Sequence, residues 1–114
     1  MTYSTVIQQW FDAEWGGGMI LPDGWFGRPF DNQHALSSVT ERDNELTLVL
    51  DDNLSLHFEG LKSVRVKGRE LILGPFEILQ FGWTPYGGGK LTTKDYRDGE
   101  VKIISMEATG RATE

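Results

Sequence analysis

The chain has 114 residues, 25% of them charged, a formal net charge of -6 and no cysteine. This length suits one domain with its own core, and the lack of cysteine excludes disulfides, thiolate metal sites and a cysteine nucleophile. The acidic balance argues against a nucleic-acid or anionic-membrane surface, because both require a basic footprint.

The N-terminal segment predicts one short amphipathic helix over residues 5–15. Ser4 stands where it can cap the first turn, and residues 16–18 end the helix because consecutive glycines cost too much backbone entropy. The apolar residues recur at the spacing of one helix face: Val6, Ile7, Trp10 and Phe11. Residues 1–10 lack the pattern of a secretory signal, and no apolar run reaches about 20 residues, so we expect a cytoplasmic protein.

Residues 16–34 predict an irregular loop that is rich in glycine, proline and aromatic side chains. A connection of this length inside a small domain is often functional, and binding sites commonly combine aromatic walls with a few polar groups. Arg28 suits a carboxylate or phosphate, and Asp31 with His34 suits an acid–base or orienting pair. In the structural alternative, the aromatic side chains plug one end of the sheet and Arg28 pairs with a neighbouring aspartate.

From residue 36 the hydrophobic period changes to two, which predicts a series of hairpins over residues 36–106. Val39 is expected opposite Leu48. A three-residue loop at 51–53, with Asn53 in the left-handed region, would place Leu50 opposite Leu54 and keep both strands' apolar residues on one face. Across Gly68-Arg69, a further tight turn pairs the strand of residues 64–67 with the strand that begins at Glu70.

The last strands are predicted from weaker patterns. Gly74-Pro75 marks a bend, after which 76–83 reads as a separate strand and 84–89 as a glycine-rich loop. Residues 91–96 and 101–106 are expected to form a hairpin around Asp98-Gly99, and residues 107–114 a frayed tail.

These elements predict one domain, 1–114, of the α+β class with mostly antiparallel β-structure. One short N-terminal helix precedes a β-meander of about eight short strands, which we expect to curl into a roll or a small barrel because a sheet of this length rarely stays flat.

No catalytic constellation is recognisable. His57 is expected on the outer face of a strand, Asp51 and Asp52 as solvated charges at a turn, and the glycines before Lys90 do not match a phosphate loop. We therefore expect no metal and no cofactor, and the question of an enzyme stays open with a preference against one.

The profile favours a small acidic protein-binding module, such as an inhibitor or an immunity-like protein, whose partner is another protein with basic character. An alternative is a small-molecule binder or enzyme with a pocket at the mouth of the curled sheet, lined by Trp25, Arg28, Asp31 and His34. A third is a homodimer through an edge strand rather than a monomer. The candidate binding residues are Trp25, Phe26, Arg28, Asp31, His34, Trp83 and Tyr86.

Overall fold

The computed structural model describes residues 2–14, 16–26, 34–43, 45–84 and 90–105. One helix, α1 (Tyr3–Glu14), precedes the strands β1 (Gly17–Leu21), β2 (Gly24–Phe26), β3 (Leu36–Arg42), β4 (Glu45–Leu50), β5 (Leu54–Glu59), β6 (Val64–Lys67), β7 (Glu70–Trp83) and β8 (Thr92–Ser105). No helix in these segments is long and apolar enough to cross a membrane.

The strands form a single antiparallel sheet in the order β2-β1-β8-β7-β5-β4-β3, with β6 paired to β7 outside this path. The expected mostly antiparallel fold with one N-terminal helix is confirmed. Because β2 and β3 lie at opposite ends of the order and do not pair with each other, the sheet is open, so the curled form is a roll.

Helix α1 covers the inner face of the sheet with Ile7, Trp10 and Phe11, all buried. Its cap differs from the prediction: the hydroxyl of Thr2 accepts a hydrogen bond from the Thr5 amide at 3.3 Å. The amide of Ser4 instead donates to Glu41 Oε1 at 3.0 Å. The N-terminal end of the helix is therefore tied to β3 as well as to its own first turn.

The predicted registers of the central hairpins are confirmed. Val39 pairs with Leu48, Leu50 with Leu54, and the β6–β7 turn lies at Gly68-Arg69 with Lys67 opposite Glu70. The loop of residues 51–53 does join β4 to β5, but the positive φ angles belong to Asp51 (55°) and Asp52 (60°), not to Asn53. Aspartate tolerates this region because its short side chain bonds the local backbone.

The predicted loop of residues 16–34 contains two strands. β1 and β2 form a hairpin with Met19 opposite Phe26, and β1 also pairs with β8, Met19 standing opposite Ile103. Gly17 and Gly18, which the sequence predicts as helix terminators, are residues of β1 and allow its backbone to approach β8 closely. The partner strand lies some 85 residues away, beyond the reach of a local pattern.

The predicted hairpin around Asp98-Gly99 is wrong. β8 runs through this point as one strand, with a positive φ of 54° at Asp98. Its two halves pair with two halves of β7, which is also continuous and shifts register between Leu73 and Phe76. The chain does not need to turn back at Asp98, because both halves of β8 form their backbone hydrogen bonds with β7. The predicted tail of residues 107–114 lies outside the described residues.

Candidate functional site

An aromatic cluster joins the β1–β2 hairpin to β7. The ring of Phe26 lies 5.1 Å from Phe81, 5.5 Å from Trp83 and 5.8 Å from the imidazole of His34, measured between centroids. Trp25, the neighbour of Phe26, is 39% exposed. Successive side chains of a strand point to opposite faces, so Trp25 belongs to the outer side and Phe26 to the cluster.

His34 is buried and held by Asp51. Its Nδ1 lies 2.7 Å from Asp51 Oδ2, and the other carboxylate oxygen accepts the Ala35 amide at 2.9 Å. The His34 backbone exchanges two hydrogen bonds with Gly17, at 2.8 and 3.2 Å. The imidazole Nε2 is buried without a hydrogen-bond partner. Asp51 thus orients the ring from one side and leaves the second nitrogen buried without a polar partner.

Of the sequence-predicted site residues, the structure brings Phe26, His34 and Trp83 together and places Trp25 on the other side of β2. Arg28, Asp31 and Tyr86 lie outside the described residues.

The carboxylate on the His34 ring is Asp51, a residue that was expected to be a solvated turn residue. The hairpin register predicts only which residues of β4 and β5 face each other. It gives no information on which distant residue the β4–β5 loop contacts, so the His34–Asp51 pair could not be predicted.

Three metal-ligand side chains converge on the outer face of β4 and β5. Ligand atoms of Glu45, His57 and Glu59 lie within 4.8 Å of one another. Their spacing in the sequence matches no H-x-H or similar metal-binding motif. His57 occupies the outer face, as expected, where its Nε2 lies 3.0 Å from Glu45 Oε1 and its Nδ1 lies 2.8 Å from Thr47 Oγ1. Both ring nitrogens thus already have protein partners.

The end of the sheet that carries the β3–β4 turn is acidic and concave. Glu41, Asp43 and Glu45 line a cavity of about 110 Å³. The other lining residues are Leu46, which is buried, Leu61 and Tyr3. Glu59 stands directly opposite Glu45 in the ladder and adds a fourth carboxylate at this end. Hereafter we call the cavity with Glu41, Asp43, Glu45 and Glu59 the acidic end.

A second charged group links the β1–β2 turn to β8. Asp23 accepts hydrogen bonds from Lys94 and from the hydroxyl of Tyr96, the latter at 3.1 Å. The bond from Lys94 lowers the pKa of Asp23, whereas burial, followed by the bond to Asp23, raises the pKa of Tyr96. These groups fasten the hairpin to the sheet and are satisfied among themselves.

Comparison with known proteins found no matching family model, no matching curated protein and no matching solved structure.

Proposed function

We propose that the protein is a non-catalytic binding module whose acidic end receives a basic side chain of another protein. The single observation that carries the proposal is the composition of the concave acidic end: Glu41, Asp43 and Glu45 line a cavity that apolar residues also line. The net charge of -6 also favours a positively charged partner.

Lysine and arginine combine an apolar stem with a charged head. In the acidic end, Leu61 and Tyr3, both half-buried, offer apolar surface to the stem, and the carboxylates offer acceptors to the head. Arg42 stands opposite Glu45 in the ladder and offsets part of the negative charge, so we expect electrostatic attraction to contribute mostly to specificity and association rate. An inhibitor or immunity-like role suits a module that recognises a basic protein surface.

A titration with defined peptides tests the proposal. A short peptide of alternating lysine and glycine is added to the ¹⁵N-labelled protein at low salt, and a second peptide replaces each lysine by glutamine. We expect the lysine peptide alone to shift the amide signals of Tyr3, Leu46 and Leu61. Added salt should weaken its binding, since these charges are partly exposed.

A pair of neutral variants shows whether the carboxylates are responsible. Asp43→Asn with Glu45→Gln should weaken binding of the lysine peptide by about fivefold or more. Asp52→Asn with Glu77→Gln removes the same charge from other exposed positions and should leave the affinity within about twofold. Equal weakening by both pairs, or shifts that avoid the acidic end, would refute the proposal.

A further inference from the structure

The first half of β8 has an open edge. Residues 92–97 pair with β7 on one side, whereas β1 pairs with β8 only at residues 102–105. No other strand among the described residues pairs with this part of β8. Half of the backbone N–H and C=O groups of an edge strand point away from the sheet, ready to pair with a further strand.

The side chains along this edge carry charges of alternating sign. Asp95 and Arg97 point to the same face because they are two residues apart, and both are exposed. Neither side chain has an ion pair or hydrogen bond within the described structure. Asp98 follows, also exposed, and its positive φ of 54° ends the regular extended edge.

We infer that this edge binds a second copy of the chain, with β8 pairing antiparallel to β8 about a two-fold axis at Tyr96. Such an axis keeps directly opposite residues on the same face of the joined sheet. Asp95 then lies opposite Arg97 of the partner subunit, and Arg97 opposite Asp95 of the partner subunit. Opposite charges in directly facing positions stabilise strand pairing, and like charges destabilise it.

The register is specific because neighbouring choices bring like charges together. An axis at Asp95 would place that carboxylate against its own copy, and an axis at Lys94 would do the same with two ammonium groups. With the axis at Tyr96, Lys94 would stand towards Asp98 of the partner subunit, but Asp98 lies past the regular edge and Lys94 already bonds Asp23, so the register rests on Asp95 and Arg97.

The other described edges do not offer this complementarity. β6 carries Arg65 and Lys67, which would face each other as like charges about Val66. β2 is only three residues long. β3 has Glu41 and Arg42 on opposite faces because they are adjacent. The first half of β8 is therefore the described edge best suited to a second copy.

The short ladder implies a weak dimer. With the axis at Tyr96 and the regular edge ending at residue 97, only residues 95–97 of the two copies pair within it, and this buries far less surface than the roughly 1,200 Å² of a stable interface. Light scattering with size-exclusion chromatography on the full chain, at protein concentrations of about 10 to 1,000 µM, measures the equilibrium. We expect the mass to rise from 12.9 kDa towards twice that value and to fall again as sodium chloride is added.

Charge reversal tests the register. Asp95→Arg places two like pairs across the axis and should raise the dissociation constant at least about tenfold; Arg97→Asp should do the same. The double variant, Asp95→Arg with Arg97→Asp, restores opposite charges and should return the dissociation constant to within about threefold of the wild type. Asp12→Arg on α1 and Lys67→Asp on β6 are matched charge changes at exposed positions and should leave it unchanged.

A wild-type mass of 12.9 kDa throughout the concentration range would overturn this inference, as would a dimer that neither single variant weakens. Weakening by both single variants without recovery in the double variant would also overturn the register. Circular dichroism and thermal unfolding confirm that each variant is folded. The inference does not rest on the acidic end, so the peptide titration and the mass measurement can fail independently.

Discussion

Asp51 satisfies three polar contacts at the junction of β1, β3 and β4. Its carboxylate bonds the His34 ring at 2.7 Å and the Ala35 amide at 2.9 Å, and its own amide donates to the Ala35 carbonyl at 2.9 Å. His34 is 5% exposed, so loss of the carboxylate would leave a buried ring nitrogen without its partner.

Asp51→Ala should therefore destabilise the fold by about 1–3 kcal/mol, measured by urea unfolding. Asp52→Ala is the matched control, because Asp52 also has a positive φ (60°) and its exposed side chain makes none of these bonds. Comparison with this control removes the backbone strain that alanine causes at a positive φ from the measured loss of stability. If both substitutions cost the same, the carboxylate contacts of Asp51 contribute nothing measurable.

Glu14 anchors the end of α1 to Arg69 in the β6–β7 turn. Both Nε and Nη2 of the guanidinium donate to Glu14 Oε1, at 3.1 and 2.8 Å. This bonding lowers the pKa of Glu14 below its ordinary value of 4.5, against the opposing effect of burial, and a hydrogen bond with Ser105 lowers it further.

A lowered folded-state pKa means that the stabilisation is complete above the unfolded pKa and is lost as the pH falls through the folded value. Glu14→Gln should cost about 0.5–1 kcal/mol at neutral pH, since Arg69 is 45% exposed. The difference from the wild type should shrink as the pH falls below about 5. Urea unfolding of both proteins across this range measures it, and a difference that stays constant would contradict the assignment.

At the scale of elements, the β1–β8 pairing depends on a close backbone approach at Gly17. A Cβ atom there would lie 2.2 Å from the Ile104 carbonyl oxygen and 2.6 Å from its carbon. Both contacts are to backbone, so no side-chain rotation relieves them. The glycines that end the helix thus also allow β1 to enter the sheet.

Gly17→Ala should destabilise the protein by about 1–3 kcal/mol or more, because β1 must move away from β8. Gly82→Ala is the matched substitution in β7, where the added Cβ would meet its nearest atom at an ordinary 3.4 Å. There alanine should be neutral or stabilising by up to about 1 kcal/mol. Thermal unfolding compares the two, and an equal effect would show that the Ile104 contact is relieved.

At the scale of the whole molecule, the β1–β2 hairpin pairs with β8 and also packs against β7. The hairpin leaves β8 near Gly99, where an added Cβ would lie 3.1 Å from Pro22, and Phe26 reaches the rings of Phe81 and Trp83. Asp23 adds polar contacts to β8. Aromatic contacts and hydrogen bonds thus hold the β1–β2 hairpin against β7 and β8.

Phe26→Ala should destabilise the fold by about 2 kcal/mol or more and change the fluorescence of Trp83, because it removes two aromatic contacts. Trp25→Ala, one residue earlier and exposed, should cost less than about 1 kcal/mol. Urea unfolding of each variant beside the wild type compares the two losses of stability, and the emission change caused by Phe26→Ala is measured in a Trp25→Phe background. A larger loss of stability in Trp25→Ala than in Phe26→Ala would contradict the placement of Phe26 in the aromatic cluster.

The candidate site was predictable only in part. The composition of residues 16–34 drew attention to Phe26 and His34, whose rings lie close to each other, and the Phe26 ring also meets that of Trp83; whether these residues form a binding site stays a prediction. The composition did not separate Trp25 from Phe26, since that distinction needs strand alternation in a segment predicted to be a loop. The acidic end was also missed, because its residues come from α1, β3, the β3–β4 turn, β4, β5 and the segment before β6.

The sequence by itself determined the helix, the curled antiparallel sheet and the registers of the β3–β4, β4–β5 and β6–β7 hairpins. In each, a short turn and an apolar face allow one register. Only the tertiary structure decided that β1 pairs with β8, that β8 passes through Asp98 without turning, and that Asp51 holds His34. These contacts join residues from 17 to some 85 positions apart, and hydrophobic periodicity specifies which face of a strand is buried but not which distant strand lies beside it.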